Sequence, residues 1–311
     1  MSFRSKKKKI LVLGASGMLG SMSVKILAQN PDIELSAAKR NVSEGDYGRG
    51  YYVFEFDAAS NCQNLPKDYD YIINCLAILS VKPNDLIQDK ENAIFINSIF
   101  PHQLARNYPN SKIIQISTDG VFTGDNGPYD ESHLSDSYDF YGRTKSLGEV
   151  TSANFFNIRC SIVGQKRAAR KQYLLDWFLS RGHKDKINGF TNHIWNGVTT
   201  LAFAKMINGV INSGVKLPNL HHWVPANKVS KFELLNIFKN AYGRGDVEIL
   251  SERANKDVNR ELKTLNPPLN NVLWGLAGYR NVPNIEELIA DLKAFEDNNQ
   301  AVVREEIRDF P

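Results

Sequence analysis

The segment YGRTK places Tyr141 and Lys145 four residues apart, a spacing that puts both side chains on one face of a helix. A lysine ammonium beside a phenol favours the phenolate and lowers the tyrosine pKa from its usual value of about 10. The phenol can then donate or accept a proton near neutral pH. A tyrosine and a lysine at this spacing also occur by chance, so the pair needs support from the surrounding elements.

A hydroxyl group lies upstream of this pair, in the segment ISTDGVFTG at 116–124. The segment follows KIIQIS at 112–117, an apolar run that predicts a strand. Ligands of open α/β sheets bind at the carboxyl ends of the strands, so Thr118 is in position to hydrogen-bond an oxygen that reacts beside Tyr141. The alternative is a simple turn, because Ser, Thr, Asp and Gly all favour turns.

The amino-terminal segment KKKKILVLGASGMLG, at 6–20, has two interpretations. A basic flank before an apolar run is typical of a secretion signal, but such a signal needs an apolar run of roughly 7–15 residues. Here the run stops at Gly14, and Gly17 and Gly20 follow. The sequence therefore favours a buried strand, a glycine turn and a helix over 18–29. Such a turn brings backbone close to a phosphate, and the free N–H groups of the helix bind it.

The end of the second predicted strand, at 33–40, distinguishes between the two nicotinamide dinucleotides. An acidic residue there would bind a ribose hydroxyl, whereas this strand ends in Lys39 and Arg40. Two cations suit a 2′-phosphate, so the sequence predicts NADP(H); the alternative is a solvated basic loop. Asp57, at the end of the third predicted strand, faces the adenine or is a simple turn aspartate.

Short apolar segments alternate with helical patterns in the first half of the chain. Alternation of this kind predicts an α/β fold with a Rossmann-type doubly wound parallel sheet. The second half predicts a smaller, mostly helical substrate lobe. The predicted strands are 10–13, 33–40, 51–57, 71–79, 112–117 and 154–164, and the predicted helices are 18–29, 92–108, 172–180, 198–212, 230–242 and 285–295. We expect an NADP-binding domain at 1–164, with a return segment around 190–215, and a mainly substrate-binding lobe at 165–311.

Composition excludes several classes of function. The 311 residues are 42% hydrophobic and 23% charged, as in an ordinary globular protein, and the net charge of +4 does not indicate nucleic acid binding. The three cysteines match no disulfide framework or metal-ligand spacing, so we expect no metal. No apolar stretch reaches the roughly 18 residues that span a bilayer. We expect a soluble, cytoplasmic protein with no membrane partner.

The motifs GASGMLG, NCLA at 74–77, STDGVFTG, PYDE and YGRTKSLGE together resemble the extended short-chain dehydrogenase/reductases, in particular the dTDP-4-dehydrorhamnose reductase group and related nucleotide-sugar reductases. The resemblance implies that Thr118, Tyr141 and Lys145 are the catalytic residues. It implies that Asn97 supports the lysine, and that Arg159 and the segment from Ile162 close over the nicotinamide. The cofactor residues it implies are Gly14, Ser16, Gly17, Met18, Leu19, Lys39, Arg40, Asp57, Cys75, Leu76, Ala77, Asn97, Ser117, Tyr141, Lys145, Arg159 and Ile162.

The same resemblance implies a substrate and an assembly. The expected reaction is NADPH-dependent reduction of a nucleotide-diphosphate sugar of the 4-keto-6-deoxy type, in nucleotide-sugar and polysaccharide biosynthesis, by a homodimer. The expected substrate contacts are Val121, Phe122, Asn192, Trp195, Asn196 and Arg260. Core packing is the alternative for Trp195, and a solvated helix arginine is the alternative for Arg260. Rhamnose-type reductases usually carry an aromatic residue where this chain has Gly120, which leaves the sugar open.

Three rival functions share the fold. A 4,6-dehydratase of this type has an Asp-Glu pair after the threonine; the pair here is Asp119-Gly120, which argues against dehydration. A nucleotide-sugar 4-epimerase uses the same three catalytic residues and stays open. A non-catalytic NADP-binding subunit, resembling the regulatory subunit of methionine adenosyltransferase, also stays open, although the intact Thr118, Tyr141 and Lys145 favour catalysis.

Overall fold

The computed structural model of the chain describes residues 6–44, 50–59, 65–79, 87–166 and 173–308, with backbone only beyond 299. The strands are β1 Lys8–Leu13, β2 Ile33–Lys39, β3 Tyr52–Glu55, β4 Tyr71–Asn74, β5 Lys112–Ser117, β6 Phe155–Arg159, β7 Ile162–Val163, β8 Lys186–Phe190, β9 His193–Trp195, β10 Val198–Thr199, β11 Leu220–His222, β12 Val229–Ser230, β13 Glu248–Glu252 and β14 Val258–Asn259. The helices are α1 Met18–Leu27, α2 Ile87–Ile94, α3 Phe100–Asn107, α4 Phe140–Leu147, α5 Leu174–Leu179, α6 Thr200–Ser213, α7 Lys231–Ala241, α8 Pro267–Leu276 and α9 Ile285–Arg308.

One parallel sheet of seven strands dominates the described part of the chain, in the order β11-β6-β5-β4-β1-β2-β3. The strand order reverses at β1, which lies between β2 and β4. Open α/β sheets bind ligands at such a switch point, outside the carboxyl ends of the strands. The sheet confirms the predicted Rossmann-type fold and places the glycine turn beside the residues that follow β4.

The continuous apolar sequence of β1 follows from burial on both faces. Ile10 and Val12 belong to one hydrophobic cluster, which includes residues of α1, α6 and α8, and Leu11 and Leu13 belong to another, which includes residues of α3. Because successive side chains of a strand point to opposite faces, a strand that is covered on both sides has no polar positions. The continuous apolar sequence ILVL is therefore typical of a strand that helices cover on both faces of a doubly wound sheet.

The structure differs from the sequence prediction at several element boundaries. The strand predicted over 71–79 ends at Asn74, and the one predicted over 154–164 divides into β6 and β7, because β7 pairs with β10 instead of the main sheet. The helix predicted over 92–108 starts earlier and includes a π-helical turn, Phe95–Ile99, between α2 and α3. The first residue of the helix predicted over 172–180 lies outside the described residues.

The second half of the chain contributes to two regions of the molecule. Its helix α6 packs against α1, and its strand β11 is the edge strand of the main sheet. The remainder combines α5, α7 and α9 with short strands, in which β13 pairs with β8, and β9 lies between β12 and β14. The sequence did not predict these strands, because they are only two to five residues long. Among the helices of the described residues, none combines the length and the apolarity needed to cross a bilayer.

Candidate functional site

Two glycines, Gly14 and Gly17, lie in the turn between β1 and α1, and a third, Gly20, lies in the first turn of the helix. Gly14 has a φ of +73°, and a Cβ there would lie 3.2 Å from the backbone of Cys75, which follows β4. A Cβ on Gly20 would lie 2.1 Å from the carbonyl oxygen of Gly14, so α1 can pack this closely against the turn only because residue 20 is a glycine. Gly17 is the N-cap of α1 and carries no side chain that would cover the first N–H groups of the helix.

Two capped turns bring Thr118 and Tyr141 together. Thr118 directly follows β5 and has an extended backbone; its Oγ1 accepts a hydrogen bond from the backbone N of Gly120 at 3.0 Å. Asp139 caps α4 by accepting a hydrogen bond from the backbone N of Gly142 at 2.7 Å. In this arrangement Thr118 and Tyr141, on the first turn of α4, line the same cavity, and a Cβ on Gly120 would lie 3.2 Å from Oγ1 of Thr118 and 3.5 Å from Cε1 of Tyr141.

The phenol of Tyr141 keeps its proton at neutral pH. Burial raises the pKa of Tyr141 above the usual value; the nearby hydroxyl of Thr118 opposes this rise, and the charge of Asp119 adds to it. The sequence prediction of a lowered tyrosine pKa is therefore wrong for this structure, because desolvation of the phenolate outweighs its stabilisation. A protonated phenol is the form that can donate a proton to a reacting oxygen.

Lys145 lies one turn further along α4 and is buried. Its Nζ donates a hydrogen bond to the carbonyl oxygen of Ile116, at 2.7 Å, near the end of β5. Burial lowers its pKa to about 8, while the nearby carboxylate of Glu149 and the Cys75 thiol act in the opposite direction. The lysine is thus still mostly charged at neutral pH but loses its proton more readily than an exposed lysine.

A cavity of about 270 Å³ joins the glycine turn to these side chains. All three predicted catalytic residues and many of the predicted cofactor residues line it. They are Gly17, Met18, Leu19, Cys75, Leu76, Ala77, Ser117, Thr118, Tyr141, Lys145 and Ile162. Its other lining residues are Leu79, Ile116, Cys160, Ser161 and Tyr173, which the sequence reading missed. Cys160 and Ser161 follow β6, so the rule that ligands bind at strand ends could have found them, whereas no sequence signal indicates Tyr173.

The predicted 2′-phosphate residues lie at a neighbouring cavity. Lys39, at the end of β2, lines a space of about 410 Å³ together with Ala15 and Ser21 of the glycine turn and α1. Arg40 and Ser16 are exposed at the surface. Asp57 accepts a hydrogen bond from the backbone N of Ala59 at 3.1 Å. This is the pattern of a turn aspartate, which was the alternative interpretation of Asp57.

Asn97 lies on the π-helical turn and is buried. Its amide exchanges two hydrogen bonds of 2.9 Å with the backbone of Ile78, and it donates a third, of 3.0 Å, to the hydroxyl of Thr144. Asn97 therefore fixes the segment after β4 to the helix residue next to Lys145. Its contact with the lysine is indirect.

Arg159, which the resemblance places at the nicotinamide, is not among the residues that line the cavity around Tyr141. Its guanidinium is buried and binds Glu149 through two hydrogen bonds, of 2.7 and 2.5 Å, and lies 3.3 Å from Nε2 of His222. The same carboxylate accepts a hydrogen bond from the hydroxyl of Ser117, a cavity residue. Through Glu149, the guanidinium of Arg159 therefore stabilises the position of Ser117 in the cavity wall.

Two of the predicted substrate contacts belong to the protein core. Val121 and Phe122 are fully buried, and the Phe122 ring stacks on Tyr129 with 4.1 Å between ring centroids. The turn after Thr118 points both side chains inward, so the predicted contact with a substrate stays a prediction without support from their burial. Gly120 instead lies beside the reactive groups: a Cβ there would lie 3.2 Å from Oγ1 of Thr118 and 3.5 Å from Cε1 of Tyr141.

The predicted contacts of the segment after β8 are structural as well. The side-chain amide of Asn192 donates a hydrogen bond of 2.8 Å to the carbonyl oxygen of Ala254, in a loop of the second half. The side-chain amide of Asn196 donates to the carbonyl oxygen of Leu262 and accepts a hydrogen bond from its backbone N–H. Trp195 is buried, in agreement with its alternative reading as core, and its indole N–H donates to Oγ of the cavity residue Ser161 at 2.7 Å. These contacts hold the second half in place.

Arg260 is the one predicted substrate residue that is both charged and partly exposed. Its side chain is 34% exposed, and one guanidinium nitrogen lies 3.8 Å from Oδ2 of Asp139, the residue that caps α4. It therefore lies close to the helix that carries Tyr141. Among the described residues, no group of three or more potential ligands could hold a metal ion.

Comparison with known proteins gives a family match and a set of similar structures. The family model described as RmlD substrate binding domain matches residues 8–259. No curated protein sequence matches the chain.

Similar solved structures include a dTDP-4-dehydrorhamnose reductase of Clostridium acetobutylicum, with a TM-score of 0.66 at 20% identity over 93% of this chain and 99% of that one. The same enzyme of Bacillus anthracis, in complex with NADP, has a TM-score of 0.66 at 21% identity over 92% and 98%. A UDP-glucuronic acid 4-epimerase of Bacillus cereus, in complex with NAD, has a TM-score of 0.66 at 15% identity over 92% and 96%. At these identities the likeness shows the fold.

Proposed function

Because the chain belongs to the RmlD substrate binding domain family, a group of NAD(P)-dependent oxidoreductases, we propose that it reduces a keto-sugar nucleotide of the 4-keto-6-deoxy type with NADPH. The observation that carries the proposal is that Thr118, Tyr141 and Lys145 line one cavity together with Gly17 of the glycine turn. The proposed domains are a dinucleotide-binding domain at 1–164, completed by a return segment around 190–215, and a substrate lobe over most of 165–311. The proposed assembly is a homodimer.

The residues present fit a dinucleotide. Gly14 and Gly17 leave the start of α1 without a covering side chain, which is what close approach of a pyrophosphate requires. Lys39 stands at the end of β2 beside a cavity that continues the glycine turn, where a 2′-phosphate would meet its charge. The glycine turn suits either dinucleotide, and the charge of Lys39 supports NADP(H) over NAD(H).

In this proposal the bound NADPH supplies the hydride, and the protein supplies the proton and the orientation. Tyr141, protonated at neutral pH, donates its proton to the oxygen of the carbonyl as negative charge develops there. Thr118 holds the same oxygen through its hydroxyl, and the ammonium of Lys145 stabilises the phenolate that remains after proton transfer. Gly120 leaves room beside both hydroxyls for the substituents of the sugar.

The direct test is an assay of NADPH oxidation with a panel of dTDP- and UDP-linked 4-keto-6-deoxy sugars, with analysis of the products. We expect stoichiometric NADPH consumption with at least one sugar. Interconversion of two sugars without net NADPH consumption would make the protein an epimerase. No turnover with any sugar, together with co-purification of a partner chain, would make it a binding subunit.

The cofactor preference has its own measurement, the ratio of the dissociation constants for NADPH and NADH. We expect the protein to prefer NADPH, and we expect the double variant Lys39→Gln, Arg40→Gln to lose most of that preference while its NADH affinity stays the same. Equal affinities of the unaltered protein for the two cofactors would contradict the assignment.

A further inference from the structure

Two hydroxyl groups of the cavity that contains Tyr141 have no role in the proposed proton transfer. Ser161 follows β6, Tyr173 directly precedes α5, and both line the cavity. In the sheet, β6 lies next to β5, which leads to Thr118, whereas the glycine turn follows β1, on the other side of β4. Ser161 therefore stands at the end of the cavity away from the glycine turn, and Tyr173 is close enough to Tyr141 for their charges to interact.

Both hydroxyl groups are available to a ligand. The hydroxyl of Tyr173 forms no hydrogen bond with any residue that the structure describes, and the O–H of Ser161 has no acceptor among them. The polar groups of Ser117 and Lys145 in the same wall differ, because each donates a hydrogen bond to the protein itself. A hydroxyl group that loses water without gaining a partner is destabilised, so a ligand that supplies the missing partner is favoured.

Contacts behind the cavity wall hold both residues in place. The buried indole of Trp195 donates a hydrogen bond of 2.7 Å to Oγ of Ser161, so the hydroxyl hydrogen of the serine points in another direction. The backbone carbonyl of Tyr173 accepts a hydrogen bond of 2.8 Å from the N–H of Trp177 in α5. Burial raises the pKa of Tyr173, so this phenol keeps its proton at neutral pH. Each of the two hydroxyl groups can therefore act as a donor.

Much of the remaining cavity lining is apolar and includes Leu79, Cys160 and Ile162. Small-molecule sites of this kind bury apolar surface of the ligand and use a few placed polar groups to fix its orientation. A deoxy sugar suits such a site, because its ring carries hydroxyl groups next to C–H and methyl surfaces. The low polarity of the surroundings also strengthens each hydrogen bond that forms there.

We propose that Ser161 and Tyr173 bind the ring hydroxyl group beside the carbonyl of the sugar, and that they select and orient the substrate in this way. The inference rests on the proposed function for its substrate class. Both side chains carry a hydroxyl that can donate or accept, so they can hold one sugar hydroxyl from two directions. Because Thr118 and Tyr141 hold the carbonyl oxygen, this second contact fixes the rotation of the sugar ring in the cavity.

The experiment measures, by calorimetry, how the NADPH-loaded protein binds dTDP- and UDP-linked 6-deoxy sugars with a hydroxyl in place of the carbonyl, beside free dTDP and UDP. Because cofactor and sugar are both in the reduced form, no turnover disturbs the measurement. Tyr173→Phe is expected to weaken the binding of the preferred sugar nucleotide about tenfold and to leave the affinities for the free nucleotide and for NADPH unchanged. Ser161→Ala is expected to weaken the sugar nucleotide in the same selective way.

The matched control is Tyr242→Phe. Tyr242 is also half-buried, but its hydroxyl donates a hydrogen bond of 3.0 Å to Glu296, and it does not line the cavity. This control is expected to bind every ligand as the unaltered protein does. Thermal unfolding of each variant separates a lost contact from a lost fold.

The outcomes separate the inference from the proposed function. Equal binding of the sugar nucleotide by either variant and the unaltered protein would overturn the inference, and so would an equal loss for the sugar nucleotide and the free nucleotide. A loss of NADPH affinity would assign the hydroxyl groups to the cofactor and overturn it as well, as would an unaltered protein that binds no sugar nucleotide more tightly than the free nucleotide. In each case the NADPH oxidation assay would still decide the reductase activity. A selective tenfold loss, in a protein that reduces no keto-sugar nucleotide, would leave the sugar site standing and remove the reductase activity.

Discussion

Glu149 binds Arg159 through two hydrogen bonds in the interior of the protein, four residues after Lys145. The side chains are only 11% and 6% exposed, so water has little access to either charge. The pair connects the end of α4 to the end of β6, and Ser117 joins it to the cavity wall. Its position explains why an arginine next to the cavity does not face into it.

We expect Glu149→Gln to lower the free energy of unfolding by about 3–5 kcal/mol, because it leaves the guanidinium of Arg159 buried without its counter-charge. Denaturant titration measures this change. The matched control is Glu248→Gln in the pair with Lys186, where the side chains are 52% and 65% exposed. That variant should change stability by less than about 1 kcal/mol. Equal effects of the two substitutions would refute the view that burial gives the first pair its importance.

Removal of the Tyr141 hydroxyl tests the proton donor. Tyr141→Phe is expected to lower turnover by at least about 100-fold, the lower bound for general acid catalysis, and to leave NADPH affinity nearly unchanged. The control is Tyr138→Phe, because Tyr138 lies three residues earlier and is 81% exposed. Steady-state rates and a fluorescence titration with NADPH give the two quantities. A Tyr141→Phe enzyme with full turnover would exclude the tyrosine from the mechanism.

The pH dependence of reduction should report on Lys145. Its pKa is lowered from 10.5 to about 8, so its positive charge is present below that pH and lost as the pH rises through it. We therefore expect kcat/KM to fall above about pH 8. Lys145→Arg should move this alkaline limb to higher pH, because a guanidinium stays charged, and Glu149→Gln should move it lower, because Glu149 raises the pKa of the lysine.

Initial rates from about pH 6 to about pH 10 measure these profiles. The raised pKa of Tyr141 places its own ionisation above the limb assigned to the lysine. An alkaline limb that stays at the same pH in Lys145→Arg would show that another group controls it.

Close packing at the glycine turn predicts an asymmetry between two helical glycines. A Cβ on Gly20 would lie 2.1 Å from the carbonyl oxygen of Gly14, so Gly20→Ala should cost at least about 1–3 kcal/mol of stability and weaken cofactor binding. A Cβ on Gly275 in α8 would meet nothing within 4 Å, so Gly275→Ala should stabilise by up to about 1 kcal/mol. Thermal unfolding compares them, and a stable Gly20→Ala protein would mean that α1 can move away from the turn.

Local spacing made part of this site predictable from sequence. Gly14 and Gly17 lie in one turn, and Tyr141 and Lys145 in one helix, so a few residues of sequence fix their relative positions. The predictions of the family and of the parallel sheet are confirmed. Both depend on short motifs of this kind that follow one another in the expected order along the chain. The roles of the individual residues stay predictions until the variants are measured.

Features that depend on distant contacts were not predictable. The order of Val121 and Phe122 after Thr118 does not tell which way a turn points them, and their burial is decided by contact with Tyr129 and Leu262. Likewise, the pKa of Tyr141 depends on burial, which the four-residue spacing does not reveal.

The edge strand β11 has a consequence for how this protein can be divided. Because β11 pairs with β6 but lies some sixty residues later in the chain, a fragment that ends before it would leave the backbone groups along one side of β6 open to other chains. Such fragments should aggregate instead of folding. A continuous piece of gene that ends before β11 therefore lacks one strand of the main sheet, and a chimera of this enzyme that exchanges the sheet must include β11.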